Sequence, residues 1–140
     1  MAFMEFTPLR GKIIDVIASH PDGASFNKLA DRLRGELSRI VLSREIKNMS
    51  VKGFLKVSRD PKHKQRKIIT VGNSIISILN RMGERNWDGK ISVKEAFEIT
   101  LRYIIEYRRL TKDISNPFLR EYVKYRTLNR LEKVLESVAE

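Results

Sequence analysis

Apolar residues recur at intervals of three and four along the first half of the chain, the spacing of one face of a helix. Three such groups predict helices over about 8–19, 25–34 and 38–52. Thr7 and Ser38 stand where side chains cap the first and third helices, and Gly53 stands where a left-handed residue ends the third. The last two helices, joined by a short turn, predict a helix-turn-helix.

The third predicted helix has two different faces. Leu42, Ile46 and Met49 fall at i, i+4 and i+7 and form its apolar side. Polar and basic side chains point elsewhere, among them Arg44 and Lys47. One side of this helix is therefore predicted to pack, and the other to meet solvent or a polyanion.

A basic hairpin follows. FLKVSR and KIITV are rich in β-branched and aromatic residues, and the Asp60-Pro61 pair in the DPKHKQR segment between them favours a turn. Residues 56–67 hold one acid, Asp60, and six cations: Lys56, Arg59, Lys62, Lys64, Arg66 and Lys67. This density of positive charge suits contact with phosphates. The alternative is a solvated hairpin whose lysines prevent edge-to-edge aggregation.

The second half of the chain predicts three more helices. The first continues the apolar spacing through Ile75, Ile78 and Met82, and the polar, glycine-bounded run MGERNWDGK ends it. Two longer helices are predicted over about 92–110 and from Pro117 onward for some two dozen residues. We therefore divide the chain into a basic domain (1–82), a linker (83–91) and a helical region (92–140).

The two long helices carry more apolar surface than a helix pair can bury. Leu128, Leu131, Leu135 and Val138 are spaced 3, 4 and 3, as in a heptad seam. A second copy of the chain is the predicted cover, and the alternative is that the last helix folds back onto the basic domain. The predicted dimerisation residues are Phe97, Leu101, Ile104, Phe118, Tyr122, Leu128, Leu131 and Leu135.

Charge is unevenly distributed along the 140 residues. The net charge is +11, of which residues 1–82 contribute +9 (16 Lys/Arg, 7 Asp/Glu) and residues 83–140 contribute +2 (12 and 10). A basic surface indicates a polyanionic partner. The sequence has no long apolar run, signal peptide or lipidation motif, so we expect a soluble cytoplasmic protein without a membrane partner, nucleoid-associated when it binds DNA.

Catalytic and metal-binding patterns are absent from the sequence. The absence of cysteine excludes disulfides and thiolate chemistry, and the two histidines lack metal-ligand spacing. The sequence contains no P-loop, G-x-G-x-x-G, G-x-S-x-G or H-E-x-x-H motif. We expect a protein that is not an enzyme and that needs no cofactor.

The segment VLSREIKNMSVKGFLKV resembles the winged helix-turn-helix transcription regulators, especially the MarR, PadR and ArsR-like groups. The resemblance covers about Pro8 to Met82, and the run DPKHKQRKIITVGNSI is similar to the wing of these proteins. A MarR-type dimerisation helix does not precede the first helix, and SFNKLADRL replaces the Gly-Tyr signature of PadR proteins. The resemblance is therefore drawn at the level of the superfamily.

The resemblance implies a mainly helical fold with a small β-hairpin wing, followed by an antiparallel helix pair for dimerisation. It implies a homodimer that binds double-stranded DNA and regulates transcription. The implied DNA contacts are Ser38, Arg39, Val41, Ser43, Arg44 and Lys47 on the recognition helix and Lys62, Lys64 and Arg66 on the wing.

Three questions stay open at this stage. A winged helix can also serve as a protein-protein interaction module, and a basic one can be an architectural DNA binder with little sequence preference. A small-molecule effector, of unknown identity, is also possible. Six aromatic residues could line its pocket or fill a dimer core: Trp87, Tyr103, Tyr107, Phe118, Tyr122 and Tyr125.

Overall fold

A computed structural model describes residues 4–63, 65–83 and 85–139. The chain forms two compact units, Met1–Ser77 and Ile78–Glu140. The division falls within a helix, whereas the sequence placed the end of the first domain at residue 82. The predicted boundary at residue 82 directly follows the end of this helix at Arg81.

The first unit begins with three helices, as predicted: α1 (Pro8–Ala18), α2 (Phe26–Arg32) and α3 (Arg39–Val51). Each is capped at its N-terminus by a hydroxyl oxygen, from Thr7, Ser25 and Ser38, that accepts a hydrogen bond of 3.2 Å from the amide three residues on. Gly53 follows α3 with φ +84°, a conformation that favours glycine. The predicted ends of the three helices are therefore confirmed to within about two residues.

Two antiparallel strands complete the unit, β1 (Leu55–Arg59) and β2 (Lys67–Val71), paired from Leu55↔Val71 to Arg59↔Lys67. Ala24 extends this ribbon through two hydrogen bonds with Ile69, of 3.0 and 2.9 Å. The order of three helices, a hairpin and a bridge from the segment before α2 defines a winged helix. The fold predicted from the sequence is confirmed.

Glycine is required where the wing returns to the body of the unit. The amide of Gly72 donates to the carbonyl of Phe54 at 2.8 Å, so the two segments lie in close contact. A Cβ atom at position 72 would lie 2.0 Å from the carbonyl oxygen of Gly53. Only glycine fits this approach, which fixes the base of the wing.

The core of the first unit lies between the helices and the inner face of the hairpin. Its side chains come from every element; the buried ones are Ile13, Ile14, Ile17, Ala24, Leu29, Leu33, Leu42, Ile46, Met49, Phe54, Leu55, Ile69 and Ile75. Leu42, Ile46 and Met49 are the three apolar positions predicted for the packed face of α3. Their burial determines which face of α3 is left toward solvent.

A fourth helix, α4 (Asn73–Arg81), is followed in the second unit by α5 (Val93–Lys112) and α6 (Pro117–Ser137). Ile91 pairs with the end of α6, since its amide donates to the carbonyl of Ser137 at 2.9 Å and its carbonyl accepts from Ala139 at 2.8 Å. The beginning of α5 therefore lies beside the end of α6, and the two helices are antiparallel. This confirms the predicted helix pair.

Part of the segment predicted as a linker is packed. Ile91 is buried together with Ala96, Tyr103 and Val134, and Trp87 packs against this cluster. Apolar side chains at 87 and 91 are covered once the helix pair forms, so the segment from Trp87 to Ile91 contributes to the core of the second unit. No helix among the described residues is long and apolar enough to cross a membrane.

Candidate nucleic-acid interface

The outward face of α3 is polar and basic. Ser43, Arg44 and Lys47 are exposed there, opposite the buried Leu42, Ile46 and Met49. The packed side orients the helix, so these three predicted site residues share the surface left open. A guanidinium can donate two parallel hydrogen bonds to a base edge, and an ammonium or a hydroxyl can hold a phosphate oxygen.

The structure also shows that one residue of this face was missed. Ile40 is 80% exposed, whereas its neighbour Val41, which the sequence reading chose, is half-buried. The signal was present in the sequence, because a helix turns about 100° per residue and position 40 lies almost opposite Leu42.

Arg39 is held by the helix next to it. Its guanidinium lies over the ring of Phe26 at 5.0 Å, and its Nη2 donates to Oδ1 of Asn27 at 2.6 Å. Both partners belong to α2, so contacts with α2 fix where the Arg39 guanidinium points. Phe26 and Asn27 were not among the predicted site residues, because contacts between helices are not visible in a sequence.

A depression of about 500 Å³ lies on this surface, and it is lined by Phe26, Arg39, Ile40, Ser43, Arg44 and Lys47. Three of these side chains are cationic and none is acidic. Ser38, another predicted contact, is exposed and has a structural role, since its hydroxyl oxygen caps α3. The arrangement offers fixed positive charge around a small apolar area.

A buried ion pair ties α3 to α1. The Glu45 carboxylate is 9% exposed and accepts from Arg10 through Nε at 2.7 Å and Nη2 at 3.4 Å. Arg10 also donates to the carbonyl of Glu5. Because both oxygens of the carboxylate are engaged, this pair fixes the rotation of α3 as well as its distance from α1.

Two hydrogen bonds of Asp60 hold the described residues of the wing loop. The Asp60 carboxylate accepts a hydrogen bond from the backbone amide of Lys62 at 2.9 Å, and the backbone amide of Asp60 donates to the carbonyl of Arg66 at 2.8 Å. The side chains of Lys62 and Arg66 are exposed. Lys64, the third predicted wing contact, lies outside the described residues. The hairpin from Leu55 to Val71 contains a single acid, so its field is positive.

In the second unit, the predicted dimerisation residues have different surroundings. Phe97, Leu101 and Ile104 on α5 and Leu128 and Leu135 on α6 are exposed, with exposures of 49–75%. Leu131 is half-buried against the cluster around Tyr103. Phe118 and Tyr122 are buried inside the unit, so their prediction as surface contacts is wrong.

Some of the predicted dimerisation residues are buried because each long helix has two apolar faces, and only one of them packs within the helix pair. Ala96, Tyr103 and Leu110, seven residues apart, are buried on α5, while Val93, Phe97, Leu101 and Ile104 remain exposed. The periodicity of the sequence marks both faces as apolar and cannot decide which one meets α6. The helix pair buries one of them.

A second depression, of about 530 Å³, lies in this unit and is lined by Arg81, Arg85, Arg102, Ile105, Glu106, Arg109 and Leu110. Glu106 accepts from Arg130 at 2.8 Å and from the amide of Gly83 at 3.1 Å, and Arg81 donates to Asp113 at 2.9 Å. None of the six aromatic residues considered for an effector pocket lines it. Across the described chain, no group of three or more His, Asp or Glu side chains is placed to hold a metal ion.

The chain is similar to solved structures of DNA-bound and regulatory proteins at low identity. S. aureus MepR bound to DNA is 20% identical over 95% of this chain and 80% of MepR, with a TM-score of 0.46. Streptococcus pneumoniae FabT bound to DNA is 16% identical over 94% and 77%, with a TM-score of 0.47. The PcaV transcriptional regulator of Streptomyces coelicolor, bound to its natural ligand, is 14% identical over 92% and 76%, with a TM-score of 0.47.

No protein-family model matches the chain, and no curated protein matches its sequence. The assignment as a winged helix therefore rests on the elements of this chain itself.

Proposed function

We propose that this protein is a sequence-specific regulator of transcription that binds double-stranded DNA as a homodimer. In this proposal α3 enters the major groove and the wing from Leu55 to Val71 follows the phosphate backbone. The observation that carries it is the exposed face of α3, where Arg44 and Lys47 flank Ile40 and Ser43 beside a wing that holds one acid among its cations.

The size and charge of this surface suit duplex DNA. The major groove admits one α-helix, and its base edges offer acceptors that an arginine can bind in pairs. Arg39, fixed over Phe26, and Lys47 line the same depression and supply positive charge for the backbone phosphates beside a groove. Lys62 and Arg66 extend the positive surface along the hairpin.

The dimer is supported by the apolar residues that the helix pair leaves uncovered. Phe97, at 70% exposed, and Leu135, at 75%, are large side chains of the kind that protein contacts cover. A second copy of the chain is the simplest cover, because every copy brings the same surface and a two-fold axis pairs it with itself. Two copies would also present two α3 helices to two half-sites.

The decisive experiment is selection of bound duplexes from a random library, followed by anisotropy titration on the selected sequence and on a scrambled one. We expect a palindromic motif and an affinity ratio of 10³ or more between the two, as is typical of specific binders. The double variant Arg44→Ala/Lys47→Ala should weaken binding to the selected duplex more than to the scrambled one and so lower this ratio. Lys94→Ala/Lys112→Ala, which removes equal charge from exposed positions of α5, is the control.

The other two functions considered for this fold predict different outcomes. An interaction module would select no duplex and would bind none at physiological salt. An architectural protein would bind the selected and scrambled duplexes equally well. Either result would contradict the proposal.

A further inference from the structure

Ile40 has an unusual position for a large apolar side chain. It is 80% exposed, the highest value among the large hydrophobic residues that the structure describes, and it lies in the first turn of α3. An exposed isoleucine forgoes most of the free energy that its burial would supply. Most of the residue is uncovered in the first unit, so its side chain is available to an external partner.

The surroundings of Ile40 restrict what that partner is. The depression that it lines also contains Arg39, Arg44 and Lys47. An apolar protein surface placed here would bury three cations without counter-charges, which is costly. A partner that combines phosphates with an isolated apolar group satisfies both kinds of side chain at once.

Duplex DNA provides this combination in its major groove. Phosphates line both margins, and the C5-methyl group of thymine is an apolar point in the floor of the groove. In helix-turn-helix complexes the N-terminal residues of the recognition helix contact base edges. Ile40 is the second residue of α3, and Arg44 follows one helical turn later on the same face.

We propose that Ile40 is a specificity-determining residue that reads a thymine methyl group in each half-site. The inference rests on the proposed DNA-binding function and adds the base class to it: the selected motif contains an A·T pair whose thymine methyl packs against Ile40. Val51, 77% exposed at the far end of the same face, takes no part, because the end of the helix leaves the groove.

The test replaces thymine by deoxyuridine, which removes only the methyl group, at one position of the selected duplex at a time. At one position per half-site, binding by the wild-type protein should weaken roughly fourfold, which corresponds to about 0.8 kcal/mol for one buried carbon. Ile40→Ala should lose a similar factor on the thymine duplex. The Ile40→Ala variant should bind the thymine and deoxyuridine duplexes equally well at that position. This result would show that the Ile40 side chain contacts the methyl group.

Val51→Ala is the matched control, and it should keep the wild-type response to deoxyuridine. Since Ile40 is exposed, Ile40→Ala should fold normally, and thermal melting verifies this. Wild-type binding that ignores every substitution, or an Ile40→Ala protein that keeps the full effect, would overturn the inference while leaving DNA binding intact. A change in particle mass for Ile40→Ala would assign the side chain to a protein contact instead. Absence of all duplex binding would defeat the proposed function itself.

Discussion

Arg44 and Glu45 are neighbours on α3, but one is exposed and the other is buried. Glu45 is turned inward and paired with Arg10, whereas Arg44, one position earlier, is exposed. Both are charged, but Glu45 lies on the side of the helix that carries Leu42 and Met49, whereas Arg44 lies on the opposite side. The difference matters because removing the first should change stability and removing the second should change binding.

The first prediction concerns the anchor. Glu45→Gln should destabilise the first unit by about 1.5–3 kcal/mol, because it removes a charge-assisted hydrogen bond and leaves Arg10 less well paired. Urea denaturation followed by circular dichroism measures this. Asp31→Asn breaks the exposed pair with Arg34, 2.8 Å apart, and should cost less than about 1 kcal/mol. Equal losses for both variants would show that burial of the Glu45 pair is unimportant.

The second prediction concerns Arg44. Its replacement by alanine should weaken binding to the selected duplex by about 1–3 kcal/mol and relax the preference at one base pair, as expected for an arginine that reads guanine. Titrations on duplexes changed at single positions measure the effect. If all duplexes weaken by the same factor and the salt slope falls by about one, Arg44 holds a phosphate instead.

At the scale of elements, we propose that α3 reads base edges and that the wing holds the phosphate backbone. The wing is a two-stranded ribbon whose base is fixed by Gly72 and by the pairing of Ala24 with Ile69, and whose tip carries exposed cations. Side chains on such a tip reach the backbone of DNA more readily than the base edges. Backbone contacts set orientation and affinity but carry no sequence information directly.

The third prediction follows from this division. Lys62→Ala/Arg66→Ala should weaken binding to selected and scrambled duplexes by a similar factor and leave the base preference intact. The slope of log K against log salt should become shallower by roughly 2 per protomer, about 0.9 for each lost phosphate contact. Lys94→Ala/Lys112→Ala serves again as the control for charge. Unchanged affinity at moderate salt would mean that the wing is only a solvated hairpin.

At the scale of the whole molecule, the second unit carries the residues that we propose for dimerisation. The helix pair buries Phe118, Tyr122 and Val134 internally and leaves an apolar stripe on α5 from Val93 to Ile104. This stripe and the exposed Leu128 and Leu135 of α6 are the apolar surface that a second copy would cover. The mutations that test the dimer must therefore be placed there, and not in the core.

The fourth prediction is that Leu101→Asp/Ile104→Asp converts a dimer of the wild-type chain into a monomer, because a dry apolar contact cannot hold unpaired carboxylates. Light scattering should show twice the chain mass for the wild type and the single mass for the variant. Ser115→Asp/Asn129→Asp adds the same charge at exposed polar positions and should remain dimeric. A monomeric wild type at high micromolar concentration would contradict the prediction.

The fifth prediction joins assembly to charge. Two protomers that each place Arg39, Lys47 and wing cations against phosphates should neutralise about 6 to 10 of them, giving a slope of log K against log salt of roughly −5 to −9. Footprinting should show two half-sites about 10 base pairs apart, or a multiple of that distance. A slope near zero, or protection of a single half-site, would contradict dimeric binding.

The sequence by itself determined the elements and the fold of this protein. Helix starts at Thr7 and Ser38 were readable because capping is local: a hydroxyl meets an amide three residues on. The packed side of α3 was readable because one strong apolar face, with Leu42, Ile46 and Met49, has a single possible orientation. Capping residues and a single, clearly spaced apolar face are enough to predict the helix starts and the packed side of α3.

Only the tertiary structure decided features that depend on contacts between elements. It placed Phe118 and Tyr122 in the core, because α5 and α6 each have two apolar faces and only one face of each helix packs against the other helix. It fixed Arg39 against Phe26 and Asn27. A helix period describes one helix at a time, whereas burial depends on which neighbour occupies each face, and that is decided when the chain folds.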